Sequence, residues 1–184
     1  EETASLAINA ALTGHLVLST LHTNSAAGAI PRLLDMGAEP FLISSTLNII
    51  VAQRLVRRLS EEKDKYTLSA KELANLSSYC NIERVTDILK EHKLLKHTQE
   101  LGDLPFWRPK ATKEIPDGYK GRIGIYEVLP VTETIKNLII QRSSADAIQE
   151  QAEKEGMRTM VEDGFVKAAQ GITSIEEVLR VITE

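Results

Sequence analysis

Two histidines seven residues apart frame the stretch Thr13-Gly14-His15-Leu16-Val17-Leu18-Ser19-Thr20-Leu21-His22-Thr23-Asn24. Leu16 to Leu21 is a nearly continuous apolar run, the pattern of a strand covered on both faces. Three polar residues, His22, Thr23 and Asn24, follow it directly. Ligands of open α/β sheets bind just beyond the carboxyl ends of strands, so a binding site is expected there. Further along, Arg54, Arg57 and Arg58 make a local basic cluster in an otherwise acidic chain. A guanidinium suits phosphate recognition, in its own site or a neighbour's; surface solvation or a structural ion pair explains the cluster as well.

Composition narrows the classes. The 184 residues carry 22 Lys and Arg against 26 Asp and Glu, a formal charge of −4 that argues against a broad basic face for nucleic acid. No run of about 18 apolar residues occurs, and the chain opens with Glu1-Glu2 rather than a secretory signal. The one cysteine, Cys80, suits a reducing compartment and reads as a small core hydrophobe.

The elements that position the polar stretch follow from local signals. Glu2 to Leu12 reads as a helix with Ala4, Ala7, Ile8, Ala11 and Leu12 on one face and Gly14 just past its end. Asn24 or Ser25 can cap the next helix, running to Met36 and stopped by Gly37; Pro31 inside it costs about 3 kcal/mol unless the helix starts late or kinks. Pro40 suits the first position of a third helix towards Arg54, and Leu55 to Leu59 reads as a strand. Helices alternating with buried strands predict an α/β chain with a parallel-type sheet. Ser60 to Lys65 is a charged loop, Ser69 opens a helix with a capping box to Glu72, and Asn81 caps another carrying Val85, Ile88 and Leu89. Leu101 to Pro116 holds three prolines and reads as irregular, with Phe106 and Trp107 pinning it to the core; Arg122 to Leu129 reads as a strand. The remainder is helical, from Thr132 to about Gln141, Ala145 to Glu155, and two segments opened by capping boxes at Thr159 and Thr173.

Four motifs in order carry a resemblance: Thr13-Gly14-His15 to His22-Thr23, Arg32-Leu33-Leu34-Asp35-Met36-Gly37, Ala52-Gln53-Arg54-Leu55-Val56-Arg57-Arg58-Leu59, and Gly118-Tyr119-Lys120-Gly121-Arg122. With the tail from Gly156-Met157-Arg158-Thr159 to Gly171-Ile172-Thr173, they make the chain resemble the hexameric secretion ATPases of type IV pilus assembly and type II secretion. The resemblance covers nearly the whole chain outside about Glu61 to Pro116 and favours the assembly or export branch over the retraction branch. It implies a partial RecA-like P-loop NTPase core over residues 1–59, a charged loop and helical insert over 60–116, and a closing strand with a carboxyl-terminal helical bundle over 117–184. It also implies ATP with Mg2+, a homo-hexamer, an inner-membrane platform with accessory proteins as partners, and a cytoplasmic location peripheral to that membrane, without membrane insertion or nucleic acid.

In that family the run holding His15 and His22 lies near the γ-phosphate. In an extended chain the two are about 23 Å apart and point to opposite faces, so one of them, with His22 better placed, meets a phosphate at the strand's carboxyl end. An imidazole there can sense the phosphate or orient water. Thr20, Thr23 and Asn24 can bond phosphate or water, although Asn24 and Ser25 are equally explained as caps. Glu2 matches the acidic residue after the family's Walker B segment; a negative charge at a helix start explains it too.

No G-x-x-x-x-G-K-[ST] occurs, so the chain reads as the carboxyl-terminal part of a longer protein, inactive by itself. Many relatives carry two C-x-x-C pairs, which would fall near Ser60 and Lys63 and near Ala111 and Glu114; with one cysteine no such zinc site is expected. Two other classes stay open. An adaptor role would leave catalysis vestigial. A helix-turn-helix over Leu68 to Lys96 would bind DNA, against which stand Glu72, Glu83, Asp87 and Glu91 beside Lys71, Arg84, Lys90, Lys93 and Lys96.

Overall fold

The computed structural model describes residues 2–183, the side chain of Glu2 excepted. In chain order the elements are α1 (Glu2–Leu12), α2 (Ala29–Asp35), α3 (Pro40–Thr46), β1 (Ile49–Leu59), β2 (Lys63–Thr67), α4 (Ala70–Leu76), α5 (Ile82–Glu91), β3 (Pro105–Pro109), β4 (Tyr119–Pro130), α6 (Glu133–Ile140), α7 (Ala145–Lys154), α8 (Met160–Ala169) and α9 (Ile175–Thr183). They form two compact units, Glu1–Ala52 with Glu127–Thr159, and Gln53–Tyr126 with Met160–Glu184.

The first unit is held by Ala26, Ile30 and Ile43 packing with Leu129, Val131, Ile135, Ile139 and Ile148. α1 and α6 both lie against α3. α1 ends where expected: Gly14 takes φ +88°, the Gly14 N–H donates to Ala11 O and the His15 N–H to Ala10 O, a Schellman closure. Gly37, at φ +84°, closes α2 by the same device through Leu34 O and Leu33 O. α2 starts late, at Ala29, so Pro31 falls in its first turn, where no intrahelical N–H is lost.

In the second unit Leu68, Leu76, Val85, Leu89, Leu95 and Leu104 surround Phe106 and Phe165. α5 packs on α8, and Arg84 Nε donates to the buried Glu162 at 2.6 Å across that contact. Ser69 and Asn81 cap α4 and α5, the first with both bonds of the capping box. Cys80 is half-buried, and burial, with the charge of Glu162, pushes its thiol up to about 11.

Several expectations are corrected. Leu16 to Leu21 is not a buried strand: it is irregular, with Leu16 87% and Leu18 88% exposed. Two faces of a strand are buried only by flanking strands and the layers on them, and in the described chain β1 pairs with β4 and β2 with β3. The sheets are antiparallel rather than parallel. Val131 N–H reaches Asn48 O before one end of β1, and Ser60 N–H reaches Gly118 O after the other. β2 runs antiparallel to β3, from Lys63 opposite Pro109 to Thr67 opposite Pro105. The helix from Pro40 ends at Thr46, because the Ile49-Ile50-Val51 run favours extended backbone. Lys63 to Thr67 and Pro105 to Pro109 are strands inside segments read as loops; the prolines of β3 sit at its ends, in a two-stranded sheet that has only edges. Of the four closing helices, α6 and α7 belong to the first unit and α8 and α9 to the second.

α8 and α9 meet closely at Gly164, where an added Cβ would come within 2.5 Å of the Val178 side chain, itself fully buried. Gly164→Val gains only about 0.4 kcal/mol in helix propensity. Overpacking should outweigh that and lower stability by about 1–3 kcal/mol in urea titration.

Candidate functional site

The polar stretch of the first unit leaves α1 through its closing turn. Thr13 Oγ1 donates to Ala10 O at 2.8 Å and lies 3.0 Å from His15 Nδ1. His15, Thr20 and His22 are exposed and Thr23 is half-buried. The stretch therefore presents imidazoles and a hydroxyl to solvent, available to a ligand.

Beyond His22 the chain is progressively tied down. Thr23 Oγ1 donates to Ser25 O at 3.1 Å, and Ser25 Oγ accepts the Gly28 N–H at 3.1 Å. Ser25 thus holds the turn ahead of α2. The N-cap of the helix is Gly28, with no side-chain cap, so the expected cap at Asn24 or Ser25 is corrected: the late start of the helix moves its first turn beyond both. The Ala26 N–H donates to Glu127 Oε1 at 2.5 Å, a carboxylate brought by β4 from 101 residues away and only 4% exposed. The sequence reading missed Glu127. Its signal was the alternation of β4, which places an acid on the same inward face as Leu129.

The arginines lie in the second unit and do not act as one cluster. Arg54 Nη1 donates to Val181 O at 2.6 Å, a carbonyl in the last turn of α9, where a cation is favoured. Arg57 is committed more deeply. Its Nη2 reaches Glu177 Oε2 at 2.7 Å, its backbone N–H reaches Glu177 Oε1 at 3.0 Å, and its Nη1 lies 3.4 Å from Asp117. The guanidinium also stacks 4.2 Å from the centre of the Tyr119 ring. Arg58 is exposed. The side chain of Glu2 falls outside the described residues.

Glu177 was also missed. Its carboxylate is fully buried and receives Arg180 as well, at 2.9 and 2.8 Å. Ser174, not Thr173, caps α9: its Oγ accepts the Glu177 N–H, while Thr173 Oγ1 donates to Arg57 O at 2.8 Å. Read one residue later, Ser174-Ile175-Glu176-Glu177 carries the same box spacing that the sequence assigned to Thr173. Burial works to raise this carboxyl, but hydrogen bonds from Arg180 and Arg57 outweigh it and hold the group at about 2.

Comparison with known proteins follows the same residues. The family model described as type II/IV secretion system protein matches residues 1–180. The chain is 48% identical to type II secretion system protein E of Xanthomonas campestris pv. campestris over 98% of its length and 29% of that protein's. It is 39% identical to type IV pilus assembly ATPase PilB of Pseudomonas aeruginosa, over 98% of its own length and 29% of the relative's. Type II secretion system ATPase E of Vibrio cholerae is 40% identical over the whole chain and 33% of its own length. The chain thus spans about a third or less of these relatives.

The Glu177 clasp has a pH signature. A carboxyl lowered in the folded state contributes stability that is fully present above its unfolded value, about 4.3. That contribution should fade as pH falls from there to about 2. Glu177→Gln should lose about 2 kcal/mol at neutral pH, because Arg57 and Arg180 stay charged while the carboxylate that paired them becomes a neutral amide. Its stability should also change less across that acid window, as followed by urea unfolding at stepped pH.

Proposed function

Since the chain belongs to the type II/IV secretion system protein family, we propose that it is the carboxyl-terminal portion of an ATPase powering type II secretion or type IV pilus assembly. The observation that carries the reading is the family match over residues 1–180, which includes the exposed polar stretch ending at the Glu127 bond. On this reading Leu16 to Leu21 is a strand of a RecA-like parallel sheet whose neighbours belong to the rest of the full-length protein. The exposure of Leu16 and Leu18 supports it, since side chains of that size are ordinarily covered.

The residues present fit a nucleotide's phosphates unequally. His22 and Thr20 are exposed and Thr23 half-buried, and their imidazole and hydroxyl groups can bond phosphate oxygens or water. Arg57 does not fit, because Glu177 and Tyr119 already hold its guanidinium. Arg58, exposed, fits a phosphate presented by a neighbouring subunit. Mg-ATP, when bound, supplies a γ-phosphoryl group whose transfer depends mainly on positioning and charge stabilisation. His22 orients the attacking water or reads the γ-phosphate from the end of its strand. His15, its Nδ1 engaged by Thr13, serves from further back along the same segment.

The wider assembly is part of the proposal: a homo-hexamer on the cytoplasmic side of an inner-membrane platform. No helix among the described residues is long and apolar enough to cross a membrane. In place of a zinc module, α4 and α5 fasten the insert by burying Leu76, Val85, Ile88 and Leu89.

The purified 184-residue chain should show no Mg-ATP turnover, while the full-length protein hydrolyses it. His22→Ala in the full-length protein should slow turnover about 100-fold with circular dichroism unchanged. An undiminished rate would remove His22 from the mechanism.

A further inference from the structure

We infer that Glu127 is a positioning residue for His22: its buried carboxylate fixes the point from which the catalytic segment springs. The inference rests on the ATPase reading of that segment. Its physical basis is the abrupt change at Ala26. Thr20, His22 and Asn24 are exposed, whereas Ala26 and Ala27 are 0% and 1% exposed. At that boundary the Ala26 N–H is taken by Glu127 Oε1 at 2.5 Å. At that distance the bond fixes both the separation and the direction of the amide.

From Ala26 back to His22 is four residues, at most about 14 Å of chain. Part of that slack is removed by Thr23 Oγ1 on Ser25 O and by the Gly28 N–H on Ser25 Oγ. Glu127 itself stands on β4, one turn of the alternation from Leu129, which is fully buried in the core of the same unit. The path from core to imidazole is therefore short: a strand, one short hydrogen bond, and four residues of chain. A polar side chain is a poor choice for filling a core, since burying it is costly unless it is hydrogen-bonded. Displacing the reacting group by about 1 Å can cost up to 100-fold in rate, so the placement of this bond bears directly on turnover.

The test is a double-mutant cycle in the full-length ATPase, reading kcat and KM for Mg-ATP in H22A, E127A and the double variant, with E127Q and E127D alongside. Glu127→Ala should lower kcat about 10- to 100-fold while KM moves less than about twofold. Glu127→Gln, which keeps an acceptor oxygen, should recover most of the rate. The double variant should be no slower than His22→Ala, and hydrogen exchange at the Ala26 amide should accelerate in E127A but not in E127Q. If E127A does not fold, E127D enters the cycle with the same coupling expected. If H22A slows turnover and the Glu127 substitution slows it further by its full factor, the positioning role is overturned. So it is if the Ala26 amide stays protected in E127A. A full rate in H22A overturns the underlying site reading instead, whatever Glu127 does.

Discussion

Extended backbone becomes stable structure only when neighbouring strands take up its N–H and C=O groups and cover its side chains. That constraint governs the first unit. Between the closing turn of α1 and the buried Ala26, the chain lays out apolar and polar residues together, with Leu16 and Leu18 turned to solvent. Its two ends are fixed, one by the Gly14 turn and the other by Glu127. A segment held at both ends and open along its length is suited to completing a sheet supplied from elsewhere.

Buried acids do the fastening in both units, which is unusual enough to be informative because lone carboxylates are rarely left inside. Glu127 takes a backbone N–H, Glu162 takes Arg84, and Glu177 takes Arg57 and Arg180. Each links elements far apart in sequence: β4 to the turn before α2, α5 to α8, and β1 to α9. Apolar packing is tolerant of small slides, whereas a hydrogen-bonded carboxylate fixes both distance and direction. These three contacts therefore set register where the small cores by themselves would leave it looser.

What the sequence made legible was local. The caps at Ser69, Asn81 and Thr132 and the glycine stops at Gly14 and Gly37 depend on residues within about four positions, and all fall where expected. Strand pairing is not local. β1 finds its partner in β4 and β2 in β3 across intervening helices, and the charges of Lys63, Asp64 and Lys65 hide a strand whose informative side chain is Tyr66. The site divides the same way. Residue type and spacing point to His15 and His22, but no motif announces that Glu127 holds the turn beside them. The basic cluster illustrates the limit from the other side: Arg54, Arg57 and Arg58 are neighbours in sequence, yet their partners are a helix-end carbonyl, a buried carboxylate and solvent.

That separation decides which of the three guanidiniums is committed to the fold. Moving Arg57 onto a phosphate would strand Glu177 with half its partners and would forfeit the stacking on Tyr119. Tyr119 in turn bonds Ser174, the residue that caps α9, so the disturbance would run into the helix start. Breaking a buried pair by removing one member costs about 3–5 kcal/mol. A phosphate contact in a shielded site could repay that only by binding Arg57 more strongly than Glu177 already does. Arg58 meets no such obstacle. It follows Arg57 on the strand, so alternation turns it away from the Glu177 clasp, and its side chain is exposed. The pair thus divides the work by geometry: Arg57 holds β1 to α9, and the rigidity this gives the strand is what lets Arg58 reach outward from a fixed base.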